Sequence, residues 1–197
     1  MQNSTERIAD EILVMDAQSG RREAFDMLVS RWQKRLWLHA LNLTGRTEAA
    51  WEITQECWLD IVRGLTRLND PVKFGSWAYR IVSYKAYDWR HRNRREDLPE
   101  IEPEGMPAGA GVQEKYETAS DVHDILRRLP AAEQVVLNLY YLEGFDVAEI
   151  AGILQTPEGT VKSRLHAARI EFRKHWESLG ALSSEANPAS GRERQHE

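Results

Sequence analysis

Apolar residues along this chain recur at the three- and four-residue steps of an α-helix, and no segment alternates apolar and polar residues as a β-strand does. The segment QTPEGTVKSRLHAARIEF and the residues just after it illustrate the pattern. Its apolar positions are Val161, Leu165, Ala168, Phe172 and Trp176. Near its start lie Thr156, a good N-cap residue, and Pro157, which is favoured at the first helical position. The spacing predicts a helix that is capped at Thr156 and buries one apolar seam.

The same spacing predicts helices throughout the rest of the chain. In the N-terminal half they are predicted to cover residues 10–17, 23–43, 47–63 and 73–94, the third with Thr47 as its N-cap. In the C-terminal half, Ser120 is predicted to cap a helix that stops near Pro130, and the next helix covers residues 131–142. The expected fold class is therefore all-α.

The segment between the two halves differs from both in composition. DLPEIEPEGMPAGAGVQEK holds three prolines, three glycines and almost no large apolar residue, which predicts a flexible linker. We therefore expect two small helical domains joined by a flexible acidic linker and followed by a disordered tail. The predicted boundaries are residues 8–95, 96–116, 117–178 and 179–197.

Charge is distributed unevenly along the chain. The net charge is −5 and the isoelectric point is near 5.8, which taken alone argues against a nucleic-acid-binding protein. However, Lys85–Arg95 holds five cations and one acid, Glu96–Asp124 holds nine acids and one lysine, and Thr160–His175 holds five cations and one acid. Two blocks of net charge +4 thus flank a connector of net charge −8. Because the local field governs contact with phosphates, nucleic-acid binding stays open.

Several classes of protein are not indicated. There is no run of about 18 apolar residues that predicts a membrane span, and the polar N-terminus is unlike a signal peptide. The single cysteine, Cys57, has apolar neighbours, so a core thiol in a reducing cytoplasm is expected. The histidines lack ligand spacing, and no phosphate loop or catalytic triad occurs. We expect no enzyme activity, metal or cofactor.

The segment DVAEIAGILQTPEGTVKSRL has the pattern of a helix-turn-helix. Its first helix is predicted to start at Asp146, which has capping-box spacing to Glu149. In a helix-turn-helix the second helix presents its N-terminal residues to the major groove of DNA. The polar residues there and along the helix are Lys162, Ser163, His166, Arg164, Arg169 and Arg173. The alternative is an ordinary helical corner with a solvated cationic face.

A second stretch, KFGSWAYRIVSYKAYDWRHRNRR, interleaves aromatic residues with cations. The aromatic residues are Phe74, Trp77, Tyr79, Tyr84, Tyr87 and Trp89, and the cations between them include Arg80, Lys85 and Arg90. Exposed aromatic rings beside cations hold unpaired bases by stacking and charge. The alternative is that all the aromatics pack in the core. We expect core positions for Phe74, Trp77 and Ile81, but not for Tyr84 and Trp89.

The third stretch, AAWEITQECWLDIV, predicts a helix with one apolar side and one polar, aromatic side. The polar side carries Trp51, Glu52, Gln55, Glu56 and Trp58. Its negative charge suits a protein partner better than DNA. A solvated amphipathic helix is an equally good interpretation of the residues alone.

These stretches together resemble the bacterial extracytoplasmic-function (ECF) sigma factors, the minimal two-domain specificity subunits of RNA polymerase. EAFDMLVSRW, WEITQECWLDIVRGL and FGSWAYRIVSYKAYDWRHR are similar to the second conserved region of the family. LRRLPAAEQVVLNLYYLEGFDVAEIAGILQTPEGTVKSRLHAAR is similar to its fourth region. The resemblance covers about residues 20–95 and 121–176 in the family's order. It implies a protein that binds core RNA polymerase, reads two promoter elements and helps to melt the DNA.

The resemblance also implies a role for individual positions. The face formed by Glu52, Gln55 and Glu56 would dock on the coiled coil of the polymerase β′ subunit. Opening of the minus-ten element and contact with non-template bases would fall to Phe74, Trp77, Arg80, Tyr84 and Asp88, with capture of a flipped base by Asn69, Asp70, Pro71, Val72 and Lys73. The minus-thirty-five duplex would be read by Lys162, Ser163 and His166, with phosphates bound by Arg164 and Arg169. Lys85 and Arg90 complete the predicted DNA-binding set.

Three positions depart from the family pattern. Residue 84 is tyrosine where asparagine is frequent, residue 52 is glutamate where aspartate is usual, and residue 167 is alanine where arginine is common. The resemblance further implies that the acidic linker threads the cationic channel of the polymerase and that an anti-sigma factor binds the free protein. The alternative function is an autonomous helix-turn-helix regulator that binds operators as a dimer.

Overall fold

The computed structural model of the protein describes residues 4–93, 122 and 125–185, and all regular structure in these residues is helical. The all-α prediction is confirmed. The predicted linker and the Ser120 cap lie outside the described residues, as does the predicted tail beyond residue 185. Residues 179–185 were predicted to belong to the disordered tail, but they continue the last helix, so the predicted boundary at 178 was wrong. No helix in the described residues is both long enough and apolar enough to cross a membrane.

Four helices form an N-terminal domain: α1 (Ser4–Gln18), α2 (Arg22–Thr44), α3 (Thr47–Gly64) and α4 (Phe74–Arg92). Two 3₁₀ turns, Leu65–Arg67 and Pro71–Lys73, connect α3 to α4. The C-terminal domain contains a helical turn at residues 125–128, then α5 (Ala131–Leu137), α6 (Val147–Leu154) and α7 (Glu158–Glu185). Helix α5 continues into a π-helical turn, Asn138–Leu142, which the apolar spacing did not predict.

Local signals explain where several helices begin and end. Helix α2 ends at Gly45, which adopts the left-handed conformation (φ 68°) and donates its N–H to the Leu41 carbonyl at 2.7 Å. The predicted capping box is confirmed: the Asp146 carboxylate accepts the Glu149 N–H at 2.8 Å, and the Glu149 carboxylate accepts the Asp146 N–H at 2.9 Å.

Two predicted caps were wrong. Arg46, in extended conformation, occupies the N-cap of α3 without a side-chain bond, so Thr47 is already helical. Helix α7 begins at Glu158, and the Pro157 carbonyl accepts the N–H groups of Thr160 and Val161. The Thr156 hydroxyl is buried without a hydrogen-bond partner in the part of the chain that the structure describes. It therefore does not cap the helix.

The core of the N-terminal domain is an aromatic cluster between α2 and α4. The Trp32 ring meets Phe74 edge-on at 5.4 Å between centroids and Tyr79 at 6.0 Å. All three side chains are at most 2% exposed. Phe74 was predicted here, whereas Trp77 and Ile81 are half-buried at the edge of the core. The burial of Tyr79 was not predicted.

Cys57 confirms the prediction of a core thiol. Its side chain is fully buried in α3, and burial raises the pKa of the thiol to about 12. The group is therefore neutral at physiological pH and has no reactive thiolate.

The C-terminal domain buries the predicted seam of α7 in part. Val161, Leu165 and Ala168 are at most 3% exposed, and Phe172 is half-buried. Trp176 is 42% exposed, and its ring stacks on that of Phe172 with 6.2 Å between the centroids.

The two domains pack directly against each other through α4 and α6. One continuous apolar core contains Tyr79 and Val82 of the N-terminal domain together with Ile150, Ile153 and Val161 of the C-terminal domain. This contact was not predicted from the sequence. It brings the helix-turn-helix beside the aromatic helix α4.

Candidate nucleic-acid and polymerase interfaces

The start of α7 presents three polar side chains on one exposed face. Lys162, Ser163 and His166 are all exposed, while Val161 and Leu165 between them are buried and fix the orientation of the helix. The Ser163 hydroxyl donates to the Thr160 carbonyl at 3.0 Å. The helix-turn-helix thus positions the predicted duplex-reading residues where a major groove can reach them.

Two arginines of α7 contact the protein itself. Arg169 donates its Nε to the Tyr141 hydroxyl at 2.9 Å, and its guanidinium lies 5.5 Å and 5.6 Å from the centroids of the Tyr140 and Tyr141 rings. Arg164 is half-buried and lines a cleft between the domains, together with Tyr84 and Tyr87. The first arginine is thereby held in one orientation, and the second points towards α4.

Helix α4 exposes aromatic residues on the side that faces this cleft. Tyr84 and Tyr87 are 44% and 42% exposed, and Asp88 is exposed beside them. The Tyr84 hydroxyl donates to the Leu154 carbonyl at the end of α6, at 3.1 Å. The prediction that Tyr84 lies outside the core is confirmed, whereas Trp89 is half-buried and packs against the core.

The cations of α4 differ in their surroundings. Lys85 lies between the carboxylates of Glu56, at 3.1 Å, and Asp60, at 2.8 Å, on α3. Burial lowers the pKa of Lys85. The hydrogen bonds to Asp60 and Glu56 and their negative charges raise it, and together they outweigh burial, so the pKa lies above its usual value. Arg90 donates to the Gln134 side chain, and Arg80 is half-buried. The structure therefore places Lys85 against the predicted polymerase face, away from the exposed tyrosines.

The loop before α4 is compact and polar. The Asp70 carboxylate accepts the Val72 N–H at 3.2 Å, which closes a turn that Pro71 starts. Asn69, Val72 and Lys73 are exposed around it. The loop thus offers both polar and apolar contacts beside the N-terminus of the aromatic helix.

Helix α3 carries an exposed face that is acidic and apolar at once. Glu52, Gln55 and Glu56 are all exposed. Sequence reasoning missed two apolar members of this face, Leu59 and Val62, which are 55% and 56% exposed. Leu59 and Val62 follow Gln55 by four and seven residues, and this spacing places all three on the same side of a helix. The sequence therefore contained the signal for their position.

The chain matches two family models, one in each half of the chain. Residues 28–96 match "Sigma-70 region 2" and residues 119–171 match "Sigma-70, region 4". The first match contains α3 and α4, and the second contains the helix-turn-helix.

Curated relatives agree with these matches. The chain is 27% identical over 177 residues to the ECF RNA polymerase sigma-E factor of Haemophilus influenzae, covering 83% of this chain and 93% of the relative. It is 28% identical over 181 residues to the ECF RNA polymerase sigma-E factor of Escherichia coli strain K12, covering 84% and 93%.

Solved structures share the fold. CnrH in complex with the cytosolic domain of CnrY aligns with a TM-score of 0.67 and 23% identity, over 86% of this chain and 98% of that chain. The sigma factor RpoE of Bartonella quintana, in complex with the anti-sigma factor NepR, aligns with a TM-score of 0.64 and 20% identity, over 78% and 96%. With both sigma-70 regions matched in order and ECF relatives aligned over most of its length, the chain belongs to the extracytoplasmic-function sigma factors of the sigma-70 family.

Proposed function

We propose that this protein binds core RNA polymerase and directs promoter-specific transcription initiation, reading the minus-thirty-five duplex with α7 and opening the minus-ten element with α4. One observation carries the proposal: a single chain holds an exposed duplex-reading helix and an exposed tyrosine-bearing helix, each inside a matched sigma-70 region. An autonomous helix-turn-helix regulator is not favoured, because it has no use for the second of these helices.

The duplex-reading step rests on the exposed start of α7. Lys162, Ser163 and His166 supply hydrogen-bond donors and acceptors for base edges, and each good bidentate pair contributes about 1–3 kcal/mol of discrimination. Arg164 and Arg169 supply phosphate contacts that set the register on the duplex. Arg169 is already oriented for this by the Tyr141 hydroxyl.

The opening step rests on α4 and the loop before it. Stacking of an extruded base on an aromatic ring is worth about 1–3 kcal/mol, and it stabilises the separated strand in preference to the duplex. Tyr84 offers the ring, Asp88 lies one turn further on, and the loop of Asn69 to Lys73 lies at the other end of the helix as the site for a flipped base. The phosphodiester chemistry belongs to the polymerase.

The α3 face is the proposed polymerase contact. Glu52, Gln55 and Glu56 would dock on the β′ coiled coil, with Leu59 and Val62 as the apolar part of the same surface. We further propose that the protein works in the cytoplasm and that an anti-sigma factor binds it when it is free. One of the solved structures with the same fold, that of RpoE from Bartonella quintana, is a complex of a sigma factor with an anti-sigma factor.

The test is transcription in vitro with core RNA polymerase and fragmented genomic DNA, with and without this protein. Discrete new transcripts that need the protein are expected, and their upstream sequences would give both promoter elements. Lys162→Ala with His166→Ala should lower specific transcription at least about 5- to 150-fold, the loss expected from one bidentate base contact of about 1–3 kcal/mol. Lys174→Ala, which removes an exposed cation further along α7, is the matched control. Absence of transcripts, with no co-elution with core enzyme, would refute the function.

A further inference from the structure

Lys85 differs from the exposed lysines of this chain in the carboxylates that surround it. Its ammonium group lies 2.8 Å from Asp60 and 3.1 Å from Glu56, both on α3. Its side chain is only 23% exposed, whereas those of Lys73 and Lys162 are 72% and 65% exposed. Lys85 is therefore held between two helices and does not extend into solvent.

The surroundings of Lys85 do not suit a contact with DNA. A phosphate that approached its ammonium group would meet the carboxylates of Glu56 and Asp60 at the same place, and like charges repel at short range. On the same helix, Tyr84 and Asp88 are exposed, whereas Lys85 is half-buried. The two carboxylates raise the pKa of Lys85 through their hydrogen bonds and charges, so the ammonium form is retained and its charge is balanced by α3.

The two carboxylates that Lys85 joins lie one helical turn apart on α3. Glu56 and Asp60 stand at positions i and i+4, where like charges on a helix destabilise each other. Glu52 adds a third carboxylate one turn before Glu56. Arg63 also pairs with Asp60, at 3.5 Å, but it is 74% exposed, and an ion pair so exposed contributes little. Lys85, which bridges Glu56 and Asp60, is the cation that offsets this repulsion.

Lys85 also restricts the conformation of Glu56, which belongs to the proposed polymerase contact. The Glu56 side chain is 52% exposed, and Lys85 lies 3.1 Å from its Oε2 atom. A free glutamate side chain on a helix surface samples several rotamers, and ordering it on binding costs conformational entropy. Because Lys85 orders Glu56 in the free protein, less of that entropy is lost on binding. The carboxylate is at the same time exposed enough for a partner to reach it.

We propose that Lys85 is a positioning residue for polymerase binding: it holds Glu56 in the conformation in which α3 docks on core polymerase, and it does not contact DNA. This inference rests on the proposed function, in which Glu56 belongs to the docking face. It gives the two sides of α4 separate tasks. Tyr84 and Asp88 meet the DNA, and Lys85 orders the surface that meets the polymerase.

The test measures the affinity of the full-length protein for core RNA polymerase, by displacement of fluorescently labelled wild-type protein. Lys85→Met keeps the aliphatic length of the side chain and removes its charge, whereas Lys85→Arg keeps the charge and presents donors to two carboxylates. Lys85→Met is expected to raise the dissociation constant about 3- to 10-fold, within the range found for residues of one salt-bridge network. Lys85→Arg is expected to keep most of the wild-type affinity.

A double-mutant cycle shows whether Lys85 acts through Glu56. Glu56→Gln removes the charge of the carboxylate and keeps its size, so Lys85→Met should have little further effect in that background. Additive losses of affinity would overturn the positioning role, since residues that act independently add. A merely structural effect of Lys85→Met is distinguishable, because it would lower the stability in chemical denaturation and would persist in the Glu56→Gln background.

A matched control and a second measurement separate the remaining outcomes. Lys174→Met breaks a lysine–glutamate pair of 3.0 Å on α7 with the same change of net charge, and it should leave the affinity for core polymerase unchanged. At saturating core polymerase, Lys85→Met should form open complexes at the wild-type rate. A slower rate with unchanged affinity would overturn the proposal in favour of a DNA contact.

Tighter binding of core polymerase by Lys85→Met would overturn the proposal as well, because Lys85 would then compete with the polymerase for Glu56. Failure of the wild-type protein to bind core polymerase would refute the proposed function itself, and the role of Lys85 would fall with it.

Discussion

Tyr84 makes two contacts, and two substitutions separate them. Its ring is 44% exposed and is the proposed stacking surface for a minus-ten base, while its hydroxyl donates to the Leu154 carbonyl at the end of α6. Tyr84→Ala removes both the ring and the hydroxyl. Tyr84→Phe keeps the ring and removes only the hydroxyl.

The expected magnitudes follow from these contacts. Loss of the stacking ring costs about 1–3 kcal/mol in the open complex, which corresponds to about a 5- to 150-fold loss of open complex. Loss of the hydroxyl removes one neutral hydrogen bond to the C-terminal domain, worth about 0.5–1.5 kcal/mol, and leaves the ring in place. Tyr84→Phe is therefore expected to keep promoter opening.

The assay is the rate of open-complex formation, taken from the lag before abortive products appear on a promoter found in the genomic transcription experiment. Trp176→Ala is the matched control, because this ring is 42% exposed but lies on α7, away from α4 and the cleft. Equal losses for Tyr84→Ala and Tyr84→Phe would refute the stacking role, since only the hydroxyl would then matter. No loss for Tyr84→Ala would refute it as well.

Two further predictions concern the N-terminal core. Gly75→Ala should destabilise the protein by about 1–3 kcal/mol in chemical denaturation, because a Cβ at Gly75 would lie 2.7 Å from the Trp32 ring. The control is Gly152→Ala, where a Cβ meets nothing within 4 Å; it should be neutral or should stabilise the protein by up to about 1 kcal/mol. Equal effects of the Gly75 and Gly152 substitutions would contradict the packing argument. Cys57, with its pKa raised to about 12 by burial, should react with a thiol reagent at pH 8 only at the rate of unfolding. Rapid labelling of the native protein would show that α3 opens locally.

The helices were predictable because their signals are local. Apolar spacing and the glycine or proline after several segments place most helix limits within a few residues, and the Asp146 capping box needs only a neighbour three positions away. The start of α1 is an exception, because it lies at Ser4, six residues before the predicted start at residue 10. The N-caps of α3 and α7 were assigned wrongly for a related reason. A threonine can cap a helix only if its own backbone is extended rather than helical. At α3 the extended residue is Arg46, with φ −132° and ψ 125°, so Arg46 occupies the N-cap position and Thr47 is already helical.

The contact between the two domains was not predictable from the same signals. The Tyr79 hydroxyl donates to the carboxylate of Glu143, 64 positions further along the chain, and periodicity states which side of a helix is apolar without stating which helix covers it. One signal was present in the sequence. Gln134 lies among the apolar residues of α5 and is fully buried, and a polar residue at a core position of a helix predicts a hydrogen-bonded partner elsewhere.

Glu143 shows how strongly the polar part of the contact between the domains depends on pairing. Its carboxylate accepts the Tyr79 hydroxyl, and its other oxygen lies 3.7 Å from Nδ1 of the fully buried His39. Removing one partner from a buried set of hydrogen-bonded groups leaves the others unsatisfied, which costs about 1–3 kcal/mol. Glu143→Leu should therefore destabilise the protein by about this amount in chemical denaturation, whereas Glu143→Gln, which keeps an acceptor for the Tyr79 hydroxyl, should lose less. Equal losses for the two variants would show that the hydrogen bond to Tyr79 is not what Glu143 contributes.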